Sequence, residues 1–270
     1  MLTLFLTQTA TASLIMLLLV PSRAGGRKFF QYTVGQSAVL IALGLALGSA
    51  STGDTGPRTA LFGISCVILG ASAGFFHLGR LAAGRALLVA GLVSALAGVA
   101  LDALAMIPPA DLSAASRVLY PLDALSSGLV PGSALIAMIL GHYYLNIPGL
   151  AIGHLQRLTL AFVGAVLLRM AVLAVSVVRS RELLSPLVTL LVDSGMMPSS
   201  TGLDPFALIL VLIHILFAGV AAGVMAFMAW RTALISSTQS ATGILYVALL
   251  MAIMGEMASR YLLTLTSLPL

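Results

Sequence analysis

The sequence predicts an all-α integral membrane protein of about eight transmembrane helices. Three observations predict it. Of 270 residues, 60% are hydrophobic and only 8% are charged, against about 25% charged in soluble domains. Runs of roughly 20 apolar residues recur along the whole chain, the length that crosses a hydrocarbon core. Between the runs almost nothing remains, which leaves no room within 1–270 for a separate soluble catalytic domain. The chain therefore reads as one transmembrane domain. Its eight spans could form two four-helix groups, residues 1–122 and 123–270.

Each span has its own justification. The run at about 2–20 is followed, not preceded, by Arg23, Arg27 and Lys28. A secretory leader carries its positive charge first, so this reads as an uncleaved helix. Spans at about 33–51 and 86–107 are rich in Gly and Ala ("ALGLALGSA", "AGLVSALAGVA"), which let helices approach closely. The span at about 59–77 holds Cys66 and closes on His77 in "GFFHLGR". The fifth, about 124–147, closes on "GHYYLNIPG", where Pro148 and Gly149 stop a helix. The last three, about 158–178, 205–229 and 241–266, carry Arg169, His214, and Glu256 with Arg260. The longer connections 108–122 and 181–194 mix apolar and polar positions and could form short interfacial helices on the outer side.

Basic residues orient the spans. With the N-terminus outside, the inner loops hold Arg23, Arg27, Lys28, Arg80, Arg85, Arg157 and Arg231, and the outer loops hold Arg58, Arg117, Arg179 and Arg181. The expected location is the cell's inner (cytoplasmic) membrane. The net charge of +5 reflects basic loops facing anionic lipid and does not point to nucleic acid.

Chemistry concentrates in a few residues. The single Cys66 excludes an internal disulfide or an iron–sulfur cluster and reads as a packing residue. No nucleotide-binding glycine loop, zinc-protease motif or nucleophile elbow occurs, and no metal site is expected. An ionisable side chain at mid-membrane faces the protein interior and needs a partner. By helix rise, Arg169 stands about 16 Å from the inner boundary, His214 and Glu256 about 22 Å, and Arg260 about 28 Å. The sequence thus permits one cluster in the outer half of the bilayer. Glu256 could neutralise Arg260 or Arg169 with His214 as a neutral hydrogen-bonding group, or Glu256 could exchange protons beside a ligand. His142 and Tyr143 end the fifth span at the inner interface. Tyr143 and Tyr144 also fit an aromatic belt. His77 and His142 lie at similar depth and are candidate axial ligands of a b-type haem.

The closing "GEMASRYL" is similar to the Gly-Glu…Arg pattern near the end of NrfD/DmsC-type membrane subunits of respiratory oxidoreductases, and "LTQTATASLIMLLL" loosely resembles their first helix. Gly255, Glu256 and Arg260 carry over by motif. The resemblance implies an eight-span subunit, generally without haem of its own, that anchors iron–sulfur or cytochrome subunits and exchanges electrons with quinone or quinol. On that reading Glu256 and His214 hydrogen-bond the quinone or move its protons. Arg169 and Arg260 set their charge, and His142 and Tyr143 are further quinone-site candidates. Such a subunit is not a complete enzyme alone. The alternatives are a transporter or channel with a buried charged site, a di-histidine b-type cytochrome subunit, and a structural subunit whose charges select helix partners.

Overall fold

The computed structural model describes residues 1–52, 56–109, 111, 113–146, 150–179, 205–266 and 269. Among them every regular element is helical. In chain order they are α1 (Leu2–Leu18), α2 (Ser22–Thr52), α3 (Pro57–His77), α4 (Leu81–Ala105), α5 (Ala114–Asn146) and α6 (Gly153–Arg179). α7 follows in three pieces, Pro205–His214, a π-helical stretch Ile215–Ala221, and Ala222–Leu234, and α8 is Thr238–Thr266. Among the described residues seven helices are long and apolar enough to cross a membrane. The exception is α1, whose 17 residues give about 26 Å at 1.5 Å per residue. The all-α, multi-pass membrane architecture expected from composition is the one observed.

α2 is broken at Gly26, whose φ of 72° is open to glycine and costly for other residues, so its apolar run starts there. The expected outer connection 108–122 is corrected: Ala114 onward is already α5, continuous through Pro121. His154 and Arg157, expected in an inner loop, belong to the first turns of α6, and Arg85 belongs to α4. The guanidinium of Arg85 donates to the Leu18 and Val20 carbonyls at 3.0 and 3.2 Å, satisfying orphan acceptors where α1 ends. The possible helix at 181–194 and the stop at Pro148 and Gly149 lie outside the described residues.

α5 is the hub: it packs against α1, α4, α6 and α8, while α3 packs against α2 and α4. α1 is polar but buried. Three of its hydroxyls bond its own backbone, Thr7 to Thr3 O, Thr11 to Thr7 O and Ser13 to Thr9 O, so these cost little in an apolar surround. The α1–α5 contact needs glycine: a Cβ on Gly128 would strike the Gln8 carbonyl, and one on Gly132 would lie 2.8 Å from Ala12 Cβ. Residue pairs 8/128 and 12/132 show that α1 and α5 run parallel. Extending that register sets Asp123 level with Thr3, at the start of α1. The eight residues of α5 before Leu122 therefore reach about 12 Å past α1.

Candidate functional site: a buried two-acid, two-arginine network

Where α1 begins, the interior holds Asp123, Ser126 and Ser127 from α5, Arg169 from α6, His214 from α7, and Glu256, Ser259 and Arg260 from α8. The network is closed to solvent: Asp123 and His214 are 1% exposed, and Arg169, Glu256, Ser259 and Arg260 are 0% exposed. Two carboxylates face two guanidiniums, so the formal charge cancels. Such cancellation is what a low-dielectric site demands.

Arg169 donates from all three of its nitrogens. Nε reaches Glu256 Oε1 at 3.0 Å, Nη1 reaches Asp123 Oδ1 at 2.6 Å, and Nη2 reaches Ser259 Oγ at 2.6 Å. Arg260 Nη2 reaches the other oxygen of Asp123 at 2.7 Å and Ser259 Oγ at 3.0 Å. Ser127 donates to Glu256 Oε2 at 2.7 Å. The two acids are thus unequal. Asp123 is clamped between two guanidiniums, whereas Glu256 has one guanidinium and one hydroxyl.

His214 joins through the backbone. Its Nδ1 lies 3.0 Å from the Gly255 carbonyl oxygen, and a carbonyl only accepts, so Nδ1 carries the proton. Its Nε2 is buried with no partner among the described residues. The π stretch begins at the next residue, and a Cβ on Gly255 would strike the backbone of Ala218 within it. Gly255 therefore lets α7 approach α8 closely enough for the imidazole to meet its carbonyl. Single π turns inside α-helices recur at functional sites.

The four expected mid-membrane residues, Arg169, His214, Glu256 and Arg260, are brought together. α6 begins at Gly153, sixteen residues before Arg169, so Arg169 lies about 24 Å along the helix axis from that end. Asp123 and the serines were missed. Asp123 sat at the edge of an apolar run beside Pro121, where a connection was expected. The available signal was the spacing Ser116, Tyr120, Asp123, Ser127, a polar stripe at steps of four, three and four.

His142 and Tyr143 are not part of this cluster. Nineteen residues of α5 separate His142 from Asp123, about 28 Å. His142 is exposed, and the Tyr143 ring packs edge-on to Phe29 with centroids 5.4 Å apart. Tyr144 Oη bonds the Ala151 carbonyl and so ties α5 to the start of α6. His77 is exposed, with Nδ1 3.4 Å from Gln31 Oε1 of α2. Because α3 packs on α2 and α4, it is not packed face to face with α5, and the structure does not bring His77 and His142 together. Among the described residues no three His, Cys, Asp or Glu side chains gather as a metal site. A cleft of about 480 Å³ beside Arg58, Leu101 and Ala105 lies on α3 and α4, away from the buried network.

Fold and site together define a class: an all-α, multi-pass membrane protein with a neutralised ionic network at the level where α1 begins. Comparison with family models, curated proteins and solved structures gave no match.

Proposed function

We propose that the chain is the quinone- or quinol-interacting membrane subunit of a respiratory electron-transfer complex. On this reading it lies in the inner membrane with its N-terminus outside and anchors iron–sulfur or cytochrome subunits. The observation that carries the reading is His214. Its Nδ1–H is committed to the carbonyl of Gly255, the residue before Glu256 in the chain, while Nε2 is buried with no partner among the described residues. An imidazole nitrogen of this kind accepts from a quinol hydroxyl or, once protonated, donates to a quinone carbonyl. On quinol oxidation His214 Nε2 would take one of the two protons and the carboxylate of Glu256 the other, and the two electrons would pass to the partner's metal centres. Glu256, held by Arg169 and Ser127, is the neighbouring carboxylate for proton exchange.

The test is photolabelling of the purified full chain in lipid nanodiscs with an azido-quinone. We expect a label that excess unmodified quinone displaces, on a peptide containing His214 or Glu256, and its loss in His214→Leu with the chain still monodisperse. Absence of a displaceable label, or an equal label in His214→Leu, overturns the reading. A second reading, a transporter, is supported by one observation, the π-helical break of α7 at the site. Substrate uptake by the lone chain in proteoliposomes would favour it.

The orientation has its own check. In a Cys66→Ala background, Arg117→Cys is expected to react with an impermeant thiol reagent in intact cells. Arg27→Cys is expected to react only after permeabilisation. The reverse pattern inverts the topology.

A further inference from the structure

The buried network has two different roofs. Above α6, α7 and α8 it is sealed by an apolar cluster of Leu173, Ala207, Leu210, Val211, Ala258 and Leu262. Above the α5–α6 seam the residues are polar. At the end of that seam Ser113 caps α5, its Oγ accepting from the Ser116 amide at 3.3 Å. Ser116 Oγ donates to Asp111 Oδ2 at 2.6 Å, and Arg179 Nη2 of α6 reaches Ser113 and Ser116 at 2.7 and 2.9 Å. Asp111 is solvent-exposed, and the hydroxyls of Ser116 and Ser113, with Arg179, hold its carboxyl below the usual carboxylate value.

The register of the antiparallel pair fixes what lies between. Ser116 meets Arg179 and, seven residues along the same face, Asp123 meets Arg169. Tyr120 of α5 and Ser176 of α6 both fall between these contacts, within about one helical turn of each other. Both are buried, at 4% and 1% exposure. Tyr120 stands four residues after Ser116 and three before Asp123 on the same face of α5. Ser176 Oγ has no hydrogen-bond partner among the described residues. A buried hydroxyl left this way in an otherwise satisfied seam is where ordered water is expected.

We infer that the α5–α6 seam is a water-bearing proton path that connects the exposed Asp111 to the buried Asp123–Arg169 pair by way of Tyr120 and Ser176. Along it each hydroxyl or water accepts a proton on a lone pair and releases another, so that a proton leaving an Arg169 N–H can pass to solvent and one from solvent can return in its place. The path serves the face of the bundle that bears Asp111. It rests on the proton-handling part of the function proposed above and gives that site its side of exchange with solvent.

The test needs no quinone, so the path and the quinone reading can fail separately. The full chain, labelled with ¹⁵N-arginine in lipid nanodiscs, is moved from H₂O to D₂O, and the loss of the buried guanidinium N–H signals is followed by NMR. We expect Tyr120→Phe to slow exchange at Arg169 by roughly tenfold, the equivalent of one lost hydrogen bond in the relay. Ser176→Val, which fills the place of the water, is expected to slow it likewise. Mere loosening of the helix pair would act in the opposite direction and speed exchange. Unchanged or faster exchange in both variants overturns the path.

Discussion

Asp123→Asn is expected to remove most of the folded chain from the membrane. The substitution keeps the shape and deletes the charge that lies between Arg169 Nη1 and Arg260 Nη2. Glu256 alone then faces two buried guanidiniums. Breaking a buried pair from one side costs about 3–5 kcal/mol, roughly two to four powers of ten in the folded population. The measurement is the yield and thermal midpoint of monodisperse protein after mild extraction. Because the cost is an uncompensated cation, Asp123→Asn with Arg260→Gln should recover much of the loss. Asp123→Asn with Arg169→Gln should recover less, since Arg169 also binds Glu256 and Ser259. Wild-type stability in Asp123→Asn would remove the network from any account of the fold.

Glu256→Gln is expected to behave differently. Arg169 keeps Asp123 and Ser259, and Ser127 keeps an oxygen to donate to. Assembly should fall less than in Asp123→Asn, because Asp123 still bridges both guanidiniums, although one buried positive charge is left without a carboxylate. If Glu256 exchanges protons with a quinol, turnover per assembled complex should fall by about 10²–10⁴-fold, the usual effect of losing a general acid–base group. Quinol-coupled rate and complex abundance are measured together. Wild-type turnover with normal assembly would make the network a helix-packing device and sink the functional role of Glu256. The structure also replaces the control that the sequence suggests. The 256/260 spacing points to a local pair, but Arg169 supplies the charge bonded to Oε1 of Glu256, so the informative double variant joins Glu256→Gln to Arg169→Gln.

The sequence by itself determined the solvent and the class. Composition and apolar run length follow from the cost of placing polar groups in hydrocarbon, and that cost acts on every residue independently of its neighbours. The same cost made Arg169, His214, Glu256 and Arg260 visible one by one, since each is improbable in an apolar run. Tertiary structure decided which of them meet, because an ion pair's partner lies on another helix and leaves no periodic trace in its own segment. Asp123 shows the difference. Beside Pro121, at the edge of an apolar run, it reads as a connection. It becomes the centre of the network only because α5 continues through the proline and Gly128 and Gly132 set its register on α1. His214 shows it again. Its approach to the Gly255 carbonyl depends on a π stretch and a missing Cβ, a backbone arrangement that hydrophobic pattern does not encode.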